Sequence, residues 1–264
     1  MTNKEYHARA EISKSDLDLL AKSPLHLKLK HELKREQTPS LLLGSVVHKL
    51  VLEPLDFGNE FAIEPTCDKR TKDGKAQHEQ FMQNLGDKTP ISAELLATAE
   101  QIANSVNSMP ETAPFLQDGK AEQAYFSEID EVAVKCKPDF YNEKLGLIVD
   151  LKTTSDASAV GFAKSVASFN YHIQAAFYTD VMASLGREVN KFLFIAVETK
   201  APFMVGFYEL DEVALDLGRK RYQELLELYK FCSGNNEWWG YAKFDGERIN
   251  AVQMLSLPAW KFYE

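Results

Sequence analysis

The sequence predicts an α/β fold: a central mixed sheet of about five strands flanked by helices and preceded by a mainly helical N-terminal extension. Three observations carry this reading. Helix-spaced apolar positions recur through residues 1–110, as Leu17, Leu19 and Leu20 in one segment and Leu95, Leu96, Ile102 and Val106 in another. Three short β-rich runs, 122–129, 132–141 and 146–151, then follow across turn-like Asp130-Glu131 and Asn142-Glu143-Lys144. Beyond them a helix, two strands and a last helix alternate, which is the order of a mixed layered core.

In chain order, Ser13 or Ser15 can cap a helical stretch from Ile12 to about Leu33 that Pro24 interrupts. After the break at Thr38-Pro39-Ser40, the apolar run 41–52 reads as a buried helix ended by Glu53-Pro54. Residues 56–90 are polar and read as a charged loop around Lys69, Arg70, Lys72 and Lys75, a solvated segment or a DNA contact. Ser92–Met109 is again helical. The first three strands are expected to form a meander. A helical stretch follows over 157–185, broken near Ser168-Phe169-Asn170, and then strands over Lys191–Glu198 and Phe203–Leu210 around Ala201-Pro202. Asp211 to about Phe231 is a long amphipathic helix. The whole of 1–264 is expected to be one domain: a helical part (1–110), the sheet with its flanking helices (120–232) and an irregular aromatic tail (233–264) holding Trp238, Trp239, Tyr241 and Trp260.

Composition narrows the function classes. Lys and Arg total 30 against 39 Asp and Glu, a formal charge of −9, which argues against an overall basic coat but permits a local basic groove or a cation-filled carboxylate site. The three cysteines, Cys67, Cys136 and Cys232, are far apart and form no C-x-x-C pair, too few for a thiolate cluster and unlike a disulfide framework. With a polar N-terminus and no long uncharged stretch, the chain is expected to be cytoplasmic and free of the membrane.

The chemistry concentrates in Lys137-Pro138-Asp139 and Val149-Asp150-Leu151-Lys152. A hairpin would set Asp139 beside Asp150 at one end of a sheet, where two carboxylates repel unless a cation lies between them. Hard oxygen donors suit Mg²⁺, with Mn²⁺ able to substitute. Lys152, two residues on, shares the Asp150 face of a strand and would put an ammonium beside the ion to orient or deprotonate water, or to offset phosphate charge. Leu151 points the other way and offers its carbonyl. His48, on an otherwise apolar helix one turn after Gly44, is either a satisfied core histidine or a nitrogen ligand. Gln174 and Tyr178, at i and i+4, share a helix face and can contact a phosphate or base edge, or form a polar stripe.

The ordered set G-x-x-x-H at 44–48, P-D at 138–139, D-L-K-T at 150–153 and Q-x-x-x-Y at 174–178 resembles the RecB-like branch of the PD-(D/E)XK nucleases, and most closely the RecE-type (exodeoxyribonuclease VIII) nuclease domains. Ser13–Leu17 with Ser23-Pro24, and the block Tyr171–Tyr178, resemble further signatures of that family, so that the likeness spans roughly residues 12–210. It implies the PD-(D/E)XK core and a Mg²⁺-dependent exonuclease that degrades double-stranded DNA from the 5′ end, leaving a 3′ strand for a RecT-like annealing protein. It further implies metal ligation by His48, Asp139, Asp150 and the Leu151 carbonyl, catalysis by Asp139, Asp150, Lys152 and Glu122, DNA contacts at Gln174 and Tyr178, and a ring-shaped homo-oligomer, in the RecE case a tetramer. The family's cluster-bearing branch has four cysteines, so no iron–sulfur cluster is expected. Three other readings stay open: an endonuclease or single-strand nuclease on the same core, a non-catalytic DNA-binding module, and an α/β protein with a plain ion pair at Asp150 and Lys152.

Overall fold

The computed structural model of the chain describes residues 1, 3–33, 37–246, 248–258 and 261, and Trp260 lies outside them. α1 covers Asn3–Ala8. Ser13 caps α2 (Lys14–Lys22): its hydroxyl accepts from the Asp16 N–H and the Asp16 carboxylate accepts from the Ser13 N–H, a reciprocal capping box. Ser23 caps α3 (Pro24–Lys28), in which Pro24 occupies the first turn where its missing N–H costs nothing. α4 (Pro39–Leu52) opens the same way on Thr38 and Pro39.

Residues 56–90 depart from the expected charged loop. After a 3-10 turn (Pro54–Asp56) come α5 (Phe57–Glu60), β1 (Phe61–Ile63), α6 (Lys72–Asn84) and β2 (Thr89–Ile91), with β1 and β2 paired in parallel. The Thr71 hydroxyl caps α6 by accepting from the Gly74 N–H at 3.0 Å. Gly74 alone is buried in α6, so this helix rests on its cap and on good helix formers rather than on an apolar stripe, and hydrophobic spacing does not reveal it. α7 (Ala93–Ser108) and α8 (Thr112–Phe115) complete the N-terminal part.

β3 (Lys120–Ala121), β4 (Tyr125–Ile129), β5 (Val132–Cys136), β6 (Phe140–Asn142) and β7 (Leu147–Thr154) follow. Then come α9 (Ala159–Ser168), α10 (Tyr171–Ser184), β8 (Lys191–Glu198), β9 (Val205–Glu209) and α11 (Glu212–Asn235), with β10 (Lys243–Phe244) and β11 (Ile249–Asn250) making a small hairpin in the tail. The main sheet is mixed and five-stranded in the order β3-β6-β7-β8-β9, parallel between β7 and β8 and antiparallel elsewhere.

Two expectations fail here, both for backbone reasons. The three central runs are no meander, because β4 and β5 form a separate hairpin across Asp130-Glu131, both at positive φ as a tight two-residue turn requires. Lys137-Pro138-Asp139 then leaves that hairpin, Pro138 having no N–H to continue a ladder, and β6 joins the main sheet. Glu122 does not open a strand: at φ +51° it sits in a left-handed bend between β3 and β4, its N–H donating to the Asp139 carbonyl at 3.0 Å.

Alternation along β7 divides the interior in two. Val149 and Leu151 join Leu193, Ile195 and Val197 against Val46 and Val47 of α4 and Ile102 and Val106 of α7. Ile148 joins Phe192, Phe194 and Ala196 against Phe177 of α10, Leu225 and Leu226 of α11, and Leu17 and Leu20 of α2. The sheet thus lies between two helical layers, and α10 is buried nearly all round.

Gly218 of α11 faces the backbone of α10, where an added Cβ would lie 2.3 Å from the His172 carbonyl oxygen. Arg219 clamps the same junction by two bonds to the Asp180 carboxylate at 2.8 and 3.2 Å, and the Tyr222 hydroxyl donates to Asp180 at 2.5 Å. Gly218→Ala should therefore cost about 1–3 kcal/mol through overpacking, seen as a fall of several degrees in Tm by calorimetry.

Candidate active site

β6 begins at Phe140, paired with Val149, so beyond Val149 the β6-facing edge of β7 has no strand beside it. The Asp139 side chain takes the vacant place: its Oδ2 accepts from the Leu151 N–H at 2.7 Å. The N–H and C=O of one strand residue point to the same side, so the Leu151 carbonyl faces the same opening, where its backbone hydrogen-bonds His48. α4 delivers this histidine from the other layer, and Gly44, one turn earlier, lets the helix approach β7 so closely that a Cβ there would sit 3.3 Å from Thr153 Oγ1.

His48 Nδ1 lies 3.4 Å from Asp139 Oδ2, and one potential ligand atom from each of His48, Glu122 and Asp139 falls within 4.8 Å of the others. Asp150 and Lys152 flank Leu151 and face α10. Asp150 Oδ1 pairs with the Lys152 ammonium, Asp150 Oδ2 accepts from the Gln174 amide, and the ammonium lies 4.8 Å from the centre of the Tyr171 ring. His48, Glu122, Asp139, Leu151, Lys152, Tyr171, Gln174 and Tyr178 line one cleft of about 860 Å³, while Asp150 is fully buried behind Lys152 and Gln174.

The structure therefore gathers the residues singled out in the sequence, in two adjoining groups. His48, Glu122 and Asp139 converge across the strand edge with the Leu151 carbonyl, while Asp150 is turned toward Lys152 and Gln174. Gln174 gives its amide to Asp150 rather than to solvent, and Tyr178 packs against the Phe177 and Phe192 rings at the cleft wall. Sequence reading gave Tyr171 and Lys137 no role of their own. Tyr171 stands three residues before Gln174, on the same helix face, and Lys137 directly precedes Pro138-Asp139 and pairs with Glu122. Those spacings were the available signal.

The electrostatics follow from burial. Loss of solvent, then the neighbouring Asp139 charge, pushes the Asp150 carboxyl up to about 6 against the pull of Lys152. Asp139 also rises to about 6, through burial and the charge of Glu122, although Lys152 and the Leu151 N–H oppose the shift. Burial alone would depress Lys152, but Asp150 and Asp139 outweigh it and hold the ammonium above its usual range. Burial, then the charge of Lys152, draws His48 below its usual value, leaving a neutral imidazole. One imidazole, hard carboxylate oxygens and a backbone carbonyl, with carboxylates destabilised by burial and by one another, are a donor set that fits a divalent cation.

Two outcomes follow, one for the metal-free protein and one for metal binding. Asp139 has a folded value above its unfolded one, so its penalty is absent below pH 4 and fully present above about 6. Asp139→Asn keeps the acceptor for Leu151 and should raise the Tm by a few degrees at neutral pH, measured without metal. Protons compete for the same carboxylates, so Mn²⁺ affinity by titration calorimetry should fall roughly ten- to hundredfold from pH 7 to pH 5.

Comparison with known proteins agrees with this architecture. No curated protein matches the chain significantly. Among solved structures, a protein from Eubacterium rectale, provisionally named an exonuclease, superimposes with a TM-score of 0.64 over 99% of this chain and 97% of its own, at 16% identity, a likeness of fold. A phage-related exonuclease from Haemophilus somnus 129PT covers 79% of this chain and 100% of its own at 11% identity, but its TM-score of 0.34 is too low to bear on the fold. Residues 13–245 match the family model described as "PDDEXK-like domain of unknown function (DUF3799)", so that most of the chain, with the sheet, the edge carboxylate and Lys152, belongs to that family.

Proposed function

We propose that the chain is a Mg²⁺-dependent exonuclease of the RecE type, acting 5′ to 3′ on double-stranded DNA ends and leaving 3′ overhangs for a RecT-like annealing protein. One observation carries the reading: Asp139 and Lys152 line one cleft with His48 and Glu122, and Asp150 lies buried directly behind them, paired with Lys152. Membership of the PDDEXK-like family and the order of the motifs support it.

In this reading His48, Glu122, Asp139 and the Leu151 carbonyl hold the metal, with Asp150 completing the acidic wall. The bound ion supplies Lewis-acid polarisation of the phosphodiester and lowers the pKa of a water. Lys152 is held as an ammonium by Asp150 and Asp139, so it orients that water and offsets charge on the phosphate oxygens rather than removing a proton. Tyr171 supports the ammonium from beneath, and Gln174 fixes the buried Asp150 carboxylate behind Lys152. Tyr178 borders the path of the strand. The acidic chain, at −9, meets DNA through this cleft and its bound cations, and a cytoplasmic ring of subunits, a tetramer by resemblance, would enclose the duplex.

Digestion of linear duplex labelled at either end tests the proposal. With Mg²⁺ the 5′ label should be released first and a covalently closed circle should survive. Asp150→Ala and Lys152→Ala should each slow hydrolysis at least ~100-fold with the circular dichroism spectrum unchanged. Cleavage of the circle would instead identify an endonuclease, and an intact linear duplex in both Mg²⁺ and Mn²⁺ would refute nuclease activity.

A further inference from the structure

Two lysines border the carboxylates, and their surroundings differ. Lys152 is committed: its ammonium pairs with Asp150 above the Tyr171 ring. Lys137 stands at the cleft wall, in the segment that leads from β5 to β6. Its ammonium pairs with Glu122 Oε2, donates to Asn3 Oδ1 at 2.6 Å and lies 5.9 Å from the centre of the Tyr6 ring. The two anchors on α1 are independent of Glu122, so they would keep the ammonium at the cleft wall if the carboxylate turned elsewhere.

Glu122 has somewhere else to turn. Its ligand atom is already within 4.8 Å of those of His48 and Asp139, and its backbone is fixed by the left-handed bend and by its bond to the Asp139 carbonyl. A divalent ion placed among these three competes directly with Lys137 for the Glu122 carboxylate. The ion brings twice the charge and binds three donors, so it prevails, but its affinity is lowered by the pair it must break. The displaced ammonium is then left without a counter-charge in a cleft wall only 17% exposed at that side chain, which is unfavourable until an anion arrives.

We infer that Lys137 is a displaceable counter-ion: it holds Glu122 in the metal-free protein, and once a divalent ion takes that carboxylate it binds a backbone phosphate of the strand in the cleft. The phosphate half of this inference rests on the nuclease reading above, whereas the metal half does not. The two events are coupled through one side chain, so metal strengthens binding of the phosphodiester strand and the strand strengthens binding of metal by the same factor.

Titration calorimetry with Mn²⁺ in the absence of DNA tests the first half. Lys137→Met should bind Mn²⁺ roughly three- to tenfold more tightly than the wild type, and Lys137→Arg, which keeps the charge, should not. Equal or weaker binding by Lys137→Met overturns the counter-ion role. Fluorescence anisotropy of a labelled duplex tests the second half, with Ca²⁺ in place of Mg²⁺ to slow hydrolysis. Ca²⁺ should raise wild-type affinity about tenfold and that of Lys137→Met less than about threefold, with the gain restored in Lys137→Arg. An undiminished gain in Lys137→Met overturns the phosphate role. Wild-type protein that binds Mn²⁺ but no duplex overturns the nuclease reading together with the phosphate role, while the Mn²⁺ titration still decides whether Lys137 competes for Glu122.

Discussion

The hydrogen bond from the Leu151 N–H to the Asp139 carboxylate is the constraint on which the site depends. A strand that outruns its neighbour exposes backbone groups, and a buried N–H without a partner costs about 1–3 kcal/mol. Here the missing neighbour is replaced by a side chain, which puts a negative charge at the point where β6 and β7 part. The same geometry turns the Leu151 carbonyl into the gap and sends Asp150 and Lys152 to the opposite face, toward α10. Backbone satisfaction and functional geometry are therefore one arrangement, in which a loss of the carboxylate oxygen would damage both.

Around that bond three carboxylates, Asp139, Asp150 and Glu122, face two ammoniums, Lys152 and Lys137, with His48 neutral between the layers. The positive charge falls short by one, in a place where solvent cannot make up the difference. The rise of Asp139 and Asp150 to about 6 comes first from burial, to which the neighbouring carboxylates add. A helix-packed interior would ordinarily shed such residues, since hydrophobic replacements of a buried ionic cluster often stabilise. The convergence of His48, Glu122 and Asp139, whose ligand atoms lie within 4.8 Å of one another at a cleft, is what separates this cluster from a structural ion pair.

Much of this was legible in the sequence where the cause is local. The Ser13 cap, the Pro24 break, β7 with its alternating faces and the division of α9 from α10 all follow from neighbours within a few residues. The mixed sheet of about five strands followed too, with β7 and β8 given away as continuous apolar runs, although its first strand is β3 and not the expected 122–129 run. What escaped depends on contacts distant in sequence or on weak patterns. α6 has no apolar stripe to betray it. The left-handed bend at Glu122 is set by a bond to Asp139, and nothing near position 122 signals it. The partner of Lys137 on α1 lies 134 residues away, and Gln174 looked free because its partner, Asp150, is on a different element.

The contrast between the two lysines bears on how an acidic protein can engage a polyanion. A lysine with a permanent carboxylate partner contributes no net attraction, however near the cleft it lies. Lys152 is of that kind: its hold on Asp150 is reinforced by the aromatic ring below and by the low dielectric around it, so its charge acts at short range on whatever is placed in the gap. Attraction over the width of the cleft must come from cations whose partners can be exchanged, and from ions that the carboxylates themselves recruit. On the proposed function, a chain at −9 disfavours phosphates overall, and a divalent ion held by the carboxylates would reverse the sign locally. On that reading, selectivity for the cleft would arise from the same carboxylates that are unfavourable without metal.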